Sequence, residues 1–203
     1  MSTPRLAQAM SRLGTETAFE TLAKARALER QGRNIVHLEI GEPDFDTPEH
    51  IRQAAKDALD KGYTHYGPSP GLLEAREAVA RHQTARQGYP IEPGRIVITP
   101  GGKPIMFFAI MALVDEGDEV IYPNPGFPIY ESMINFVGGK AVPLQLNEEA
   151  GFNADIEELR RKVTKRTKLI IVNSPNNPCG SVVPDSDLKK IAAIAVENAC
   201  YVM

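Results

Sequence analysis

An alternation of β-rich and helical runs in the second half of the chain is the feature that most constrains its fold. Helical character marks residues 105–114, 155–162 and 185–197, and Pro184 followed by Asp185 signals the start of the last run. Strands that alternate with helices in this way pair in parallel and are covered by those helices. We therefore expect an α/β fold with a mostly parallel sheet. The expected strands are Ile96–Thr99, Glu119–Tyr122, Lys140–Leu144, Leu169–Asn173 and Cys200–Met203.

The N-terminal part of the chain has the pattern of a smaller lobe with more helix than strand. Gly32, Gly62 and Gly88 each follow an amphipathic run and are placed to end a helix. Thr47 is expected to cap the second helix, because Pro48 suits the first helical position. The predicted elements are helices over 15–31, 48–62 and 71–86 and a strand over Asn34–Ile40. We place the boundary between the two regions within residues 45–65.

The run Ile105 to Val114 is apolar on every side. This pattern is typical of a helix that is buried between a sheet and another layer. Its Met and Phe residues are therefore expected to pack in the core rather than to contact a cofactor. The run is also too short to cross a membrane.

Composition and charge narrow the classes of partner. The 203 residues are 42% hydrophobic and 24% charged, with a formal net charge of -3, which is typical of a globular protein of one or two domains. No basic stripe or polybasic anchor is present, so we expect neither a nucleic-acid nor a membrane partner. Cys179 and Cys200 have no metal-ligand or disulfide spacing, and no leader precedes the first helix, so we expect a cytoplasmic protein with small-molecule ligands.

The segment Thr99–Lys103 reads Thr-Pro-Gly-Gly-Lys, where a predicted strand ends and a helix begins. Such a junction directs backbone N–H groups and the positive end of the helix at one point, and glycines let an anion approach closely. The pattern indicates a phosphate site, although a plain glycine turn would have the same sequence. It is not a Walker A loop, because Val97 replaces the first glycine and Pro104 replaces Ser or Thr.

A second polar loop, Asn173–Gly180, follows the apolar strand that begins at Leu169. Open α/β sheets bind ligands at the carboxyl ends of their strands, and asparagine amides can donate there without adding charge. The same residues are also common turn formers, so the loop could be a simple connection. Taken singly, the loops Gly41–Phe45 and Tyr66–Gly71 are likewise typical of ordinary turns.

The order of these loops resembles that of a known family. The sequence is similar to the class I/II aminotransferases of fold type I from about residue 15 onwards. This resemblance implies a three-layer α/β/α fold, with residues 1–50 forming an N-terminal arm and part of a small domain, and residues 51–203 forming the first half of a large domain that binds pyridoxal 5′-phosphate (PLP). The matching segments are Gly41–Phe45, Tyr66 to Arg76, Gly101–Lys103, Asn124–Phe127 and Asn173–Gly180.

The resemblance also implies a role for each matching residue. Gly41 would offer its backbone to the substrate carboxylate. Phe127 would cover the pyridine face of PLP, and Asn177 would donate to its phenolic oxygen. Tyr66 would reach the phosphate from the neighbouring subunit, which implies a homodimer. The residues expected at the phosphate are Gly101, Gly102 and Lys103.

The implied activity is transfer of an amino group between an amino acid and a 2-oxo acid. Two departures are Phe127, where many members have tryptophan, and Cys179, where threonine is frequent. The lysine that forms a Schiff base, the acid that pairs with the pyridine nitrogen and the substrate arginines are expected beyond Met203, so Arg5 and Arg12 are not assigned that last role. The alternatives are another fold type I enzyme, such as a β-lyase or decarboxylase, and a non-catalytic truncated module.

The resemblance has a consequence for stability. In this fold the strand Ile96–Thr99 pairs with a strand from much later in the chain, and unpaired strand edges are costly. The 203-residue chain by itself is therefore expected to be catalytically inactive, and to be unstable or to aggregate.

Overall fold

The computed structural model describes residues 5–14 and 17–203 of the chain. It divides into two compact units, one formed by Met1–Thr17 and Gly102–Met203 and the other by Ala18–Gly101. The proposed domain boundary at residue 50 remains a prediction. No helix among the described residues has both the length and the apolar character needed to cross a membrane.

The unit Ala18–Gly101 contains three helices, as the sequence pattern predicts. They are α1 (Thr17–Glu29), α2 (Glu49–Asp60) and α3 (Leu73–Gln87). The backbone of Gly88 is left-handed at the end of α3, where its N–H donates to the carbonyl of Thr84, so the predicted glycine stop is confirmed. The predicted cap of α2 is wrong, because Pro48 is its N-cap and no side chain caps it.

Two strands predicted for this unit do not form. Residues 34–40 and 96–99 are irregular, although the backbone at Ile96 is extended. A strand requires a neighbour along its hydrogen-bonding edge. In the described part of the chain the Ile98 N–H donates to the carbonyl of Pro70, at 2.9 Å, and not to another strand. Both segments have the local pattern of a strand, but a local pattern cannot supply a pairing partner. For residues 96–99 the family resemblance implies a partner from much later in the chain.

The other unit is built on a five-stranded sheet with the order β3-β2-β1-β4-β5. Pairing is parallel except between β2 and β3, so the prediction of a mostly parallel sheet is confirmed. Only β3 falls outside the predicted set. The strands are β1 (Glu119–Asn124), β2 (Lys140–Asn147), β3 (Asn153–Ala154), β4 (Thr167–Ile170) and β5 (Tyr201–Val202).

Four helices cover this sheet in two layers. They are α4 (Lys103–Leu113), α5 (Ile129–Phe136), α6 (Ile156–Lys162) and α7 (Asp185–Glu197), of which α5 was not predicted. Val120 and Tyr122 of β1 pack with α4 and α5, whereas Ile121 packs with α6 and α7. Alternate residues of a strand point to opposite faces, so both faces of β1 are apolar and buried. The three-layer α/β/α architecture is thereby confirmed.

Helix α4 is only partly buried, contrary to the expectation of burial on every side. Ile110 is fully buried in the core, but Ile105, Phe108 and Met111 are 53%, 52% and 50% exposed. These three residues recur at helical spacing and form one apolar stripe. Helix α4 is therefore buried on its sheet side, while within the described residues the opposite stripe is not covered.

The residues before α1 are held against the end of α5. The Arg12 guanidinium donates to the carbonyls of Asn135 and Phe136, each at 2.8 Å, and the Gly14 N–H donates to the Ser132 hydroxyl at 3.0 Å. Carbonyls at the end of a helix have no intrahelical donor, so a basic side chain there stabilises the helix. In the structure Arg12 therefore serves as an anchor for this segment.

The start of β1 carries a buried carboxylate. The side chain of Glu119 is 3% exposed and contacts Lys140 at 3.0 Å and Arg166 at 2.9 Å. It also accepts a hydrogen bond from the Thr164 hydroxyl at 2.6 Å. The Thr164 hydroxyl, together with Lys140 and Arg166, holds the pKa of Glu119 below its usual range against the opposing effect of burial. These contacts join the ends of β1, β2 and β4.

We expect Glu119→Gln to lower the free energy of unfolding at pH 7 by about 1–2 kcal/mol, because the charge-assisted hydrogen bonds are lost. A carboxyl with a lowered pKa stabilises the fold above its unfolded value, near 4.5, and less as pH falls through the folded pKa. Urea unfolding should therefore show a smaller difference from wild type at pH 4. Glu197→Gln, from an exposed pair with Arg160, is the control. A difference that does not depend on pH would contradict the assignment.

Candidate functional site

The sheet has a topological switch point between β1 and β4. The chain leaves β1 to form β2 on one side and then returns to form β4 on the other side. Ligands of open α/β sheets bind outside the carboxyl ends of the two strands at such a point. The predicted loops Asn124–Phe127 and Asn173–Gly180 follow these two strands. Because parallel neighbours end at the same edge, the loops that carry Phe127 and Asn177 begin at one edge of the sheet.

A tight turn after β1 places Phe127. A Cβ on Gly126 would lie 2.1 Å from the carbonyl oxygen of Pro123, so only glycine fits there. The Phe127 ring is partly buried and makes an edge-to-face contact with Tyr130, with 6.1 Å between ring centroids. The role of Gly126 was not predicted, although a glycine directly before the predicted aromatic residue was the available signal.

The N-terminal end of α4 lies beside Phe127. Gly102 is the N-cap of this helix and has no side-chain cap, and the Lys103 ammonium is 5.9 Å from the centre of the Phe127 ring. A Cβ built on Gly101 or Gly102 would meet no atom within 4 Å. The helix start therefore combines a positive dipole end, a cation and open space for an anion.

The loop after β4 is organised by its own asparagines. The Asn173 carboxamide accepts from the Asn177 N–H at 2.6 Å, and the Asn176 carboxamide accepts from the Cys179 N–H at 3.1 Å. Asn176 is buried, and its backbone bonds with Gly180 and Ser181 close the turn. For Asn173 and Asn176 the turn-forming interpretation is therefore correct. This support role of Asn173 was not predicted. The ability of an asparagine side chain to bond a nearby backbone N–H would have suggested it.

Asn177 differs from its neighbours. Asn177 is exposed, and within residues 5–14 and 17–203 no group forms a hydrogen bond with its carboxamide. Its backbone is nevertheless held by Asn173. The loop thus presents one carboxamide on a fixed backbone at the switch point, as a binding residue requires.

The donor set at this edge fits a phosphorylated pyridine. An anion fits the open space at Gly101 and Gly102, and an apolar ring face fits Phe127. A phenolic oxygen fits the amide donor of Asn177. The three peptide bonds before Pro125, Pro175 and Pro178 in the two loops are cis.

Gly41 and Tyr66 belong to the unit Ala18–Gly101. Gly41 lies in an irregular, exposed segment, and a Cβ there would meet nothing within 4 Å. Tyr66 is fully exposed in the loop between α2 and α3, beside a cleft of about 500 Å³ that Tyr63 and His65 also line. The roles predicted for Gly41 and Tyr66 remain predictions.

A histidine between two carboxylates holds the segment that leads to Gly41. His37 lies 2.6 Å from Glu39 through Nδ1 and 2.9 Å from Glu29 of α1 through Nε2. The hydrogen bonds to Glu39 and then Glu29 raise the pKa of His37, and the bond from His37 lowers the pKa of Glu39. The imidazole of His37 therefore connects this irregular segment to the end of α1.

We expect the imidazole protons of His37 to titrate above 6.5 in an NMR pH series, and the midpoint to fall in Glu39→Gln. A raised histidine pKa contributes stability fully below its unfolded value and loses it as pH rises through the folded pKa. The lowered Glu39 pKa contributes above 4.5 and loses its effect in acid. The contact should therefore be strongest between about pH 4.5 and 6.5. An unchanged midpoint in Glu39→Gln would contradict this arrangement.

Known sequences with the same pattern are aminotransferases. A family model described as aminotransferase class I and II matches residues 33–203. The aspartate/prephenate aminotransferase of Thermus thermophilus is 45% identical over 181 residues, which cover 89% of this chain and 47% of that protein. A probable aspartate/prephenate aminotransferase of Aquifex aeolicus is 41% identical over 198 residues, covering 98% of this chain and 50% of that protein.

Solved structures agree with the sequence matches. A Thermus thermophilus aspartate aminotransferase with maleate gives a TM-score of 0.94 at 41% identity and covers 98% of this chain and 52% of that one. An alanine aminotransferase from Pyrococcus furiosus gives a TM-score of 0.92 at 34% identity and covers 98% of this chain and 51% of that one. The chain spans about half the length of the curated relatives it matches. The resemblance seen in the ordered loops is confirmed, and the chain belongs to the class I and II aminotransferase family.

Proposed function

We propose that this chain forms the phosphate-binding and ring-binding side of a PLP-dependent aminotransferase, which transfers an amino group between an amino acid and a 2-oxo acid. The observation that supports the proposal is the order of the sheet, in which the loops that carry Phe127 and Asn177 follow the neighbouring parallel strands β1 and β4. The Lys103 ammonium at the start of α4, 5.9 Å from the centre of the Phe127 ring, adds a cation. PLP, when bound, supplies the electron sink for this chemistry. The names of the relatives support the same reaction class.

The phosphate is the part of the cofactor that α4 would hold. Backbone N–H groups at a helix start favour an anion, and the uncrowded glycines Gly101 and Gly102 admit it without steric conflict. The Lys103 ammonium adds positive charge at the same end. These residues bind and orient; none of them is assigned a bond-breaking role.

The pyridine ring is the part that the two loops would hold. Phe127 would cover one face and limit access of water to it. The Asn177 carboxamide would donate to the phenolic oxygen and hold the ring at a fixed tilt. Because an amide carries no net charge, it can stabilise negative charge on that oxygen without neutralising it.

Assembly and location follow from the resemblance and stay predictions. We propose a homodimer in which Tyr66 approaches the phosphate of the partner subunit, supported by the full exposure of Tyr66 in this chain. A cytoplasmic location is expected. Amino acid and 2-oxo acid are the proposed substrates.

Binding of pyridoxamine 5′-phosphate tests the proposed site, and it is measured on the chimaera described below, because the 203-residue chain by itself is expected to be unstable. This cofactor form has no aldehyde and so forms no adducts with surface lysines. Calorimetry should give one site per chain and a clear preference over pyridoxamine, which lacks the phosphate. Equal affinities would contradict the phosphate site. The expectation that no lysine of this chain forms the Schiff base has a separate test. After borohydride reduction with PLP, mass spectrometry that found one specifically modified lysine in this chain would contradict it.

A chimaera tests the reaction itself. This chain would replace the matching N-terminal part of the Thermus thermophilus aspartate/prephenate aminotransferase, which is 45% identical. We expect the folded chimaera to form a new amino acid from an isotope-labelled 2-oxo acid. Release of ammonia or carbon dioxide without amino transfer would favour a β-lyase or decarboxylase instead. A folded chimaera that binds cofactor but performs none of these reactions would favour a non-catalytic module.

A further inference from the structure

One partly buried arginine joins two segments of the chain. These are the loop that carries Tyr66 (residues 66–71, the Tyr66 loop) and the segment that leads into the turn at residues 99–102 (the glycine turn). Arg76 of α3 donates through Nε to the carbonyl of Gly71 and through its terminal nitrogen to the carbonyl of Pro93, each at 3.1 Å. The two acceptors lie 22 residues apart in sequence. A guanidinium presents donors in a rigid plane, so it can fix the separation of two backbone groups.

Direct packing continues this connection. The Ile98 N–H donates to the carbonyl of Pro70 at 2.9 Å. Gly71 has a φ of +99°, and a Cβ there would lie 2.9 Å from the Cβ of Ile98. The two segments therefore touch where only a glycine fits.

Local hydrogen bonds carry the connection into the glycine turn. The Thr99 hydroxyl donates to the carbonyl of Gly101 at 2.6 Å, and the Gly101 N–H donates to the carbonyl of Thr99 at 2.9 Å. Gly101 directly precedes Gly102, the N-cap of α4. Arg76, the Gly71 contact and the Thr99 turn thus form one continuous series of contacts that ends at the proposed phosphate site.

We propose that Arg76 is a positioning residue that sets the affinity of the glycine turn for phosphate without touching the phosphate itself. The proposal rests on the proposed function. Among the described residues, the hydrogen bonds of the Arg76 guanidinium go to two backbone carbonyls, one in the Tyr66 loop and one before the turn. Since the Tyr66 loop is proposed to serve the partner subunit, the same arginine links the phosphate contacts of both active sites in the dimer.

Arg76→Met, made in the chimaera described above, tests this role, because methionine keeps an unbranched stem and removes every donor. Calorimetry should show about tenfold weaker binding of pyridoxamine 5′-phosphate and a change of less than about twofold for pyridoxamine. The affinity of Arg76→Lys for pyridoxamine 5′-phosphate should lie between those of wild type and Arg76→Met, since an ammonium cannot fix two carbonyls in a plane. Arg81→Met, an exposed arginine on the same helix, should match wild type. Equal weakening of both ligands would show a merely structural role and overturn the proposal.

Amide hydrogen exchange gives a second measurement that needs no ligand. In Arg76→Met, exchange should rise together in the Tyr66–Gly71 loop and in residues 96–101, while α7 is unchanged. Gly71→Ala should produce the same paired increase, because it separates the loop from Ile98. If wild type shows no preference for the phosphorylated ligand, the proposed function fails, and the exchange result still decides whether Arg76 joins the two segments. Unchanged exchange in both segments would overturn it.

Discussion

Asn177→Ala is expected to weaken binding of pyridoxamine 5′-phosphate by about 10- to 100-fold without changing the stability of the chain. A hydrogen bond to a charged acceptor contributes about 1.5–3 kcal/mol, and about 1.4 kcal/mol corresponds to a factor of ten in affinity. The Asn177 side chain is exposed and forms no hydrogen bond with any described residue. Loss of this carboxamide should therefore lower the affinity for the ligand and leave the free energy of unfolding unchanged.

The adjacent Asn176 provides the matched contrast. It is 6% exposed, and its carboxamide accepts from the Cys179 N–H inside the turn. Asn176→Ala leaves that donor without its acceptor, which costs about 1–3 kcal/mol of folding free energy. Its effect on ligand affinity should be indirect and smaller than that of Asn177→Ala.

Urea unfolding and calorimetry on both variants, each made in the chimaera, separate the two roles. We expect Asn176→Ala to lose stability and Asn177→Ala to lose affinity for the ligand. If Asn177→Ala destabilised the chain as much as Asn176→Ala does, its carboxamide would be a turn former like that of its neighbours. The proposed contact with the phenolic oxygen would then have no support.

Gly126→Ala is expected to lower the free energy of unfolding by about 3 kcal/mol, at the upper end of the usual range for overpacking. The new Cβ would lie 2.1 Å from the Pro123 carbonyl oxygen, and a backbone atom at the end of a buried strand cannot move aside cheaply. The turn must open, so Phe127 should leave its contact with Tyr130. The near-ultraviolet circular dichroism of the aromatic residues should change as well.

Gly102→Ala is the control for this substitution. Its Cβ would meet no atom within 4 Å, and its backbone is already right-handed helical, with φ at -82°. Stability should therefore stay within about 0.5 kcal/mol of wild type. Binding of pyridoxamine 5′-phosphate should nevertheless weaken, because the methyl group would occupy space proposed for the phosphate. Equal stability of the two alanine variants would refute the steric argument at Gly126.

Local sequence signals were sufficient for elements whose ends are decided by neighbouring residues. Helix α7 spans Asp185–Glu197 as expected, and the Asp155 side chain caps α6 by accepting from the Glu157 N–H. Helix α3 ends at a left-handed glycine for an equally local reason. Capping and left-handed turns act within a few residues, so a linear pattern contains them.

Pairing and coverage were not predictable in the same way. Residues 96–99 have the composition of a strand but lack a neighbouring strand within the described chain. Residues 105–114 have the composition of a buried helix, yet half of the surface of Phe108 is exposed. Both properties depend on which distant segment lies alongside, and no local pattern states that.

The sequence by itself determined the family, the parallel α/β class and the loops in which ligand-binding residues lie, because glycines and asparagines at strand ends are specific local signals. Only the tertiary structure decided which asparagine is available to a ligand, that Gly126 places Phe127, and that Arg76 joins two distant loops. Hydrogen-bond partners 17 residues apart, as for Arg76 and Pro93, are chosen by the packing of the whole unit. The chemistry of a side chain can be read from its identity, but its availability depends on which partners the fold brings to it.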